Sequence, residues 1–510
     1  MKLKKYTAFL LAFMLIFIIG CKKNANGPSE NQGVAGNNTA SITLLYCSND
    51  TFNPYTLKTK VNNELCQLLY EPLISLDNNY NSVYRLAQSA VQNQNVWTIT
   101  LRGTVFSDGS AVTGEDVVYS FNKAKANNGY SSALSHVSSV SSEGNKIVFT
   151  LTHSDPYFIN LLNFPIIKAN SDNLKNEDSV LLAPIGSGRY VLNNEQTALN
   201  LNDKYYGAKS KYSVINLVDA PDSESVVHYV EVGATDLYYA SANDSDIFRM
   251  DGKKFVINQN RLVYLGVNLN NPVLQNVKIR YAISAALGRD KIVSTAYFGN
   301  AVAANGPISP YFKETLGHQT IESSANSKIA IENLEQIGYN ILDNLGYRKN
   351  ANNISLAFSL LINKENASHV LAAEIIKSQL SEVGIKVTVT ALDFSSYTSA
   401  LKSKSFQLYL AEVKINNNFD ISPLITAGGS CAYGIPAGSG TSGESSEISL
   451  TEIITKYKTG NASISDVITA VSSQMPFIPV CYRSGMIFYS ENIGNVENAS
   501  ADDLFSFIKN

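Results

Sequence analysis

Residues 367–383 place Val370, Leu371, Ile375, Ile376, Leu380 and Val383 at helical spacing, and Gly384 follows as a stop. Ile385–Thr390 then alternates in the two-residue period of a strand. The same grammar recurs upstream with other lengths. Val96–Leu101 alternates like a strand and runs into a turn at Ser107-Asp108-Gly109. Thr113, three residues before Asp116 and just ahead of Val117-Val118-Tyr119-Ser120-Phe121, predicts a capping box opening a helix, where hydroxyl and carboxylate satisfy orphan N–H groups. Further strands are expected at Ser41–Tyr46 and Lys146–Leu151. Helix, glycine and strand in alternation argue against an all-α or all-β body and predict α/β lobes.

The N-terminus has a different character. Lys2, Lys4 and Lys5 precede an apolar run from Thr7 to Gly20, fourteen residues long, and Lys22, Lys23 and Asn24 follow Cys21. That run is too short to span a bilayer core and fits the hydrophobic region of a signal peptide. Gly20-Cys21 resembles the bacterial lipobox, whose cysteine is diacylated and becomes the mature N-terminus; Ile18, where leucine is favoured, is a mild departure. Residues 1–20 are therefore expected to be a signal peptide and Cys21 the lipid attachment site. Residues 21–41 form the lipidated N-terminus and tether, whose polar part has a reach on the order of 25 Å for about twenty residues.

About 490 residues follow, too many for one ordinary core and enough for two or three lobes. A hydrophobic content of 45% marks a folded body. A net charge of −3 with dispersed Lys and Arg leaves no footprint for nucleic acid. Cys47, Cys66, Cys431 and Cys481 allow three disulfide pairings in an exported compartment, and the sequence does not choose among them. Neither they nor His136, His153, His228, His318 and His369 show metal-ligand spacing, so no metal and no cofactor is expected.

The segment Trp97–Lys123, WTITLRGTVFSDGSAVTGEDVVYSFNK, resembles one found in extracytoplasmic solute-binding proteins of the peptide/nickel class, which serve oligopeptide and dipeptide ABC importers. Further pieces occur in the family's order: Leu69–Leu73, the glycine turn Pro184–Tyr190, Asn268-Leu269-Asn270, Val277–Ile283, Gly288–Val293, Leu345-Gly346-Tyr347, Val383–Val387 and Phe477–Val480. Gly288 stands where members usually carry an acidic residue. The resemblance implies a two-lobed periplasmic-binding-protein-like (class II) α/β fold with an extra subdomain in the first lobe. Lobe I would comprise 42–70, 184–263 and 477–510, the extra subdomain 71–183, and lobe II 264–476. The chain would cross between lobes near Tyr264–Asn270 and Met475–Arg483, and the lobes would close on the ligand.

The same resemblance implies a function: a monomeric, lipid-anchored binding component on the extracytoplasmic face of the cell membrane. It would capture a peptide or other small solute and deliver it to ABC permease subunits. Oligopeptide binders place an aspartate after the strand matching Phe406–Leu410, to hold the ligand's α-amino group, and that position falls here on Asn416. Glu412 or Asp420 is expected to replace the missing carboxylate, Lys414 to take a ligand carboxylate, and Lys60 or Asn62 to reach in from a second loop. The Gly428-Gly429-Ser430 and Gly434–Gly443 stretches are candidates for the cleft rim.

Two alternatives remain open at this level. A lipid-anchored peptide sensor or capture protein without transport would carry the same residues. A penicillin-recognising serine enzyme is suggested by Ser120-x-x-Lys123, Ser171-Asp172-Asn173 and Lys458-Thr459-Gly460 in order. The helix predicted around Ser120, and the helical pattern of Leu450–Tyr457 ahead of Lys458, both argue against it, and the expectation is a protein without catalytic residues.

Overall fold

The computed structural model describes residues 40–177, 179, 181–242, 253–318, 321–436 and 449–509. The expected signal peptide, Cys21 and nearly all of the tether lie outside the described residues, as does most of Gly434–Gly443. None of the described helices is long and apolar enough to cross a membrane.

The predicted elements form where the sequence periods place them. Strands run over Ala40–Tyr46, Val96–Leu101 and Lys146–Leu151. The capping box is present: Asp116 accepts from the Thr113 N–H at 2.9 Å and from its hydroxyl at 2.7 Å, opening the helix Gly114–Ala126. The helix Ala367–Glu382 ends at Gly384, whose φ of +82° suits a residue without Cβ, and the strand Lys386–Leu392 follows.

A seven-stranded mixed sheet organises much of the body. Its main path runs Leu237–Ala240, Phe477–Tyr489, Lys253–Val267, Leu408–Lys414, Ala357–Asn363 and Lys386–Leu392, and Ala301–Ala303 pairs with Phe477–Tyr489. Lys253–Val267 is antiparallel to both its neighbours, whereas Ala357–Asn363 is parallel to both of its own. Both faces of the sheet are covered, so consecutive residues serve different cores. Val263, Leu265, Leu360 and Leu410 pack with Ala372, Ile376 and Leu380 of the helix Ala367–Glu382. Leu262, Tyr264, Leu361 and Tyr409 face a second, larger core. Gly266 permits this: a Cβ there would lie 1.9 Å from the Tyr409 ring.

The larger core extends through two four-stranded sheets. In one, Ala40–Tyr46 lies parallel to Tyr212–Asp219, with Ala198–Leu201 and Tyr190–Leu192 beyond. The other is the antiparallel set Ala87–Asn93, Val96–Leu101, Lys146–Leu151 and Val137–Glu143, where Phe121 of the capped helix meets Phe149 edge-to-face at 5.5 Å. The glycine turn presses on the end of the helix Lys60–Leu69: a Cβ on Gly186 would lie 2.1 Å from the Leu69 carbonyl oxygen. Close backbone approach, beyond turn geometry, therefore explains that glycine.

The four described cysteines are all free thiols, and Cys47, Cys66 and Cys481 are buried. Burial alone accounts for those three, since cysteine behaves as a small apolar residue inside a core.

Candidate functional site

The strand starting at Leu408 runs four residues further than the sequence pattern predicts, to Lys414, so Glu412 and Lys414 belong to the sheet. The reason is electrostatic. Arg261 on the neighbouring strand donates to one Glu412 oxygen at 2.8 Å, and Arg483 on Phe477–Tyr489 donates to the other at 2.9 Å. A carboxylate matched by two guanidiniums continues the ladder as a cross-strand bridge. Around it, His369 is buried, and burial pushes its pKa down to about 4, which leaves the ring neutral. Arg483 also lies over the Tyr297 ring at 4.9 Å.

Beyond Lys414 the chain turns into the segment expected to line the cleft, and most of it is packed against protein. The Asn416 carbonyl accepts from the Asn260 side chain at 3.2 Å and from the Phe419 N–H at 2.8 Å. Asn418 donates to Asp155 at 2.7 Å, and Asn160 donates to the Asn417 carbonyl at 3.1 Å. Phe419 adopts φ of +58°, a left-handed conformation costly for a bulky residue, about 1–2 kcal/mol. It is held there by stacking on Phe312 at 3.6 Å and by an edge contact with Tyr80 at 5.5 Å. Asp420 accepts from the Ser422 N–H at 2.9 Å and lies 3.7 Å from Lys458.

Two adjoining cavities open beside this segment. One, of about 360 Å³, is lined by Lys60, Tyr239, Arg261, Lys414, Asn417 and Asp502 among others. The second, of about 370 Å³, shares Asn63, Gln67, Asn163, Lys414, Ala501 and Asp502 with the first and adds Arg85, Arg189 and Asp503. The fold thus brings Lys60 and Lys414 to one cavity although they lie far apart in sequence. Lys414 is exposed, whereas Lys60 is tied down: it donates to the Tyr239 carbonyl and, at 3.2 Å, to the Tyr238 hydroxyl, with Glu64 3.6 Å away. Glu412 and Asp420 line neither cavity.

Asn62 differs from expectation. It is fully buried, its amide oxygen accepting from the Cys47 N–H at 2.8 Å and its nitrogen donating to the Cys47 and Thr51 carbonyls. The side chain pins the 47–51 loop to the helix Lys60–Leu69, because a buried amide must use both ends. A larger cavity of about 520 Å³ lies beside the glycine turn, lined by Tyr70, Ile185, Tyr190 and Gln196 among others, and none of the six sequence-predicted residues reaches it.

Asp502 is the lining residue that sequence reasoning missed. Burial pushes its carboxyl pKa up, and hydrogen bonds from Asn163 and the Leu76 N–H, together with the Lys414 charge, partly offset this. The adjacent Asp502-Asp503 pair just before the apolar Leu504-Phe505 was the available signal: two carboxylates entering a buried run need partners or a cavity.

The serine-enzyme alternative meets a buried Ser120, whose hydroxyl donates to the Ile167 carbonyl at 3.2 Å and accepts from the Ile167 N–H at 3.0 Å. Lys123 pairs with Asp172 at 2.7 Å, and Lys458 closes the helix Leu450–Lys458 where a strand edge would be needed.

Comparison with known proteins agrees with this architecture. Residues 81–433 match the family described as bacterial extracellular solute-binding proteins, family 5 Middle. The oligopeptide-binding protein AppA of Bacillus subtilis is 24% identical over 449 residues, covering 78% of this chain and 78% of AppA. Among solved structures, NikA from Brucella suis in complex with Fe(III)-EDTA superposes with a TM-score of 0.67 at 19% identity, covering 92% of this chain and 99% of NikA. The unliganded open form of the periplasmic murein tripeptide binding protein MppA gives 0.70 at 17% identity, covering 91% of this chain and 96% of MppA.

Proposed function

The chain belongs to the family of bacterial extracellular solute-binding proteins, family 5, with its two-lobed α/β fold, and from that premise we propose that it is the lipid-anchored receptor of an ABC importer. In this reading Cys21 carries the lipid, and the tether holds the body near its permease on the extracytoplasmic face. The body captures a peptide between lobe I (42–70, 184–263, 477–510, with the subdomain 71–183) and lobe II (264–476). The observation that carries the reading is the pair of adjoining cavities, both lined by Asp502 and Lys414 and the first also by Lys60 and Asn417; on the lobe bounds given above, Lys60 and Asp502 would come from lobe I and Lys414 and Asn417 from lobe II. The long paired strands Lys253–Val267 and Phe477–Tyr489, where both inferred crossings fall, would carry the hinge. AppA, named as an oligopeptide binder, favours a peptide over a chelated metal as the solute.

Small-angle scattering of the mature protein with a casein hydrolysate of short peptides tests closure: the radius of gyration falls on saturation, and an unchanged value at saturating ligand overturns a closing receptor. The anchor is tested separately. Cys21→Ala abolishes labelling by radioactive palmitate while the folded body keeps its melting temperature, and equal labelling of the variant removes the lipoprotein assignment.

A further inference from the structure

The peptide reading requires a carboxylate for the ligand's ammonium, and the two expected candidates are occupied. Both oxygens of Glu412 are bonded to guanidiniums, and Asp420 caps a turn beside Lys458. Asp503, in the second cavity, lies between Arg85 and Arg189. Glu64 faces Lys60, and Asp77 takes three donors from its own turn, the Asn79 and Asn81 N–H groups and the Asn81 amide.

Asp502 differs from all of these. It lines both cavities and forms no ion pair among the described residues. Its donors are the Asn163 amide, shared between the two oxygens at 3.0 and 3.1 Å, and the Leu76 N–H at 3.0 Å. A carboxylate has about four acceptor positions, so room for about one further donor remains at a group already half-withdrawn from water. Lys414 lines the same two cavities, exposed at the end of its strand, and it too forms no ion pair among the described residues. Asp502 and Lys414 thus line the same two cavities with opposite charges and form no ion pair with each other.

We propose that Asp502 and Lys414 together recognise a short zwitterionic peptide, Asp502 accepting its ammonium and Lys414 donating to its carboxylate. This rests on the peptide reading of the preceding section. The two charges would come from different lobes, so a ligand bridging them is held better in the closed form than in the open one, which is the condition for a ligand to drive closure. A solute with one charge blocked leaves the opposing side chain desolvated and unpaired, and is rejected for that reason.

Native mass spectrometry and calorimetry of the mature protein decide this with three preparations of one casein hydrolysate: untreated, N-acetylated and C-amidated. Wild type retains short peptides from the untreated preparation and loses about thirtyfold or more in affinity for the acetylated one. Asp502→Asn, which keeps an acceptor for the Leu76 N–H, binds untreated peptides as weakly as wild type binds acetylated ones, and acetylation then makes no further difference. Lys414→Met behaves likewise toward amidation, and its exposed position keeps the fold intact if the Asp502 variant proves unstable. A variant that still discriminates its blocked preparation as wild type does overturns the pairing and leaves the peptide reading standing. Wild type retaining nothing from any preparation overturns both.

Discussion

Two clusters in this molecule share one composition, a carboxylate between two arginines, and differ in everything around it. Asp503 lies between Arg85 and Arg189, all three buried. Every arm is tied further: Arg85 Nε donates to Ser75 at 2.8 Å, Arg189 to the Phe505 carbonyl at 3.2 Å, and Tyr205, beside Arg189, to Glu71 at 2.8 Å. Burial works against the Arg189 charge, but Asp503, Tyr205 and Glu71 outweigh it and raise the pKa. Glu412 lies between Arg261 and Arg483, but Arg261 is 27% exposed at the edge of the first cavity. Its surroundings are also less fully hydrogen-bonded: Arg483 donates further to the Ala242 carbonyl, but its Nε, the Tyr297 hydroxyl and His369 Nε2 have no hydrogen-bond partner among the described residues. The first cluster staples the C-terminal segment to the strands near Arg85 and the glycine turn; the second bridges three strands at the inferred crossings. The same charges serve rigidity in one place and, on our reading, an adjustable joint in the other. Saturation of the surrounding hydrogen bonds makes the difference.

The largest effect is expected where saturation is greatest. Asp503→Asn leaves two buried guanidiniums without their counter-charge and lowers stability by about 3–5 kcal/mol, read by urea unfolding. A loss below about 1 kcal/mol would put the two clusters on the same footing. Glu412→Gln is expected to be milder, about 1–3 kcal/mol, because water reaches Arg261 and screens the change. It should also alter the ligand-induced fall in radius of gyration, which Asp503→Asn at a temperature where it stays folded should not. An unaltered closure in the Glu412 variant removes the joint from the comparison. The smallest effect serves as a scale outside both clusters. Thr113→Ala, breaking the capping box, costs about 1 kcal/mol, and a value matching that of Asp503→Asn would mean that the buried cluster contributes no more than an ordinary cap.

Most local signals were readable to within a residue or two, the strand that runs on to Lys414 excepted. The helix Gly114–Ala126 and the helix–glycine–strand unit at Ala367–Leu392 follow from side-chain period and capping chemistry, which act over a few residues. The lining of the two cavities was readable only in part. Lys60 and Lys414 reach the cavity, while Asn62 is an internal tie and Glu412 a strand bridge, because a polar side chain's role depends on which distant groups the fold sets against it.

The sequence by itself determined the α/β class and, through collinear motifs spread over the chain, the family. Those depend on periodicity and on glycines whose neighbours are backbone. Only the tertiary structure decided which carboxylates are neutralised by arginines and that Asp502 lines both cavities beside Lys414. Arg85 and Asp503 are 418 positions apart, and Arg261 and Glu412 are 151 apart. Coulomb attraction and desolvation follow distance in space and burial, and neither is encoded in spacing along the chain.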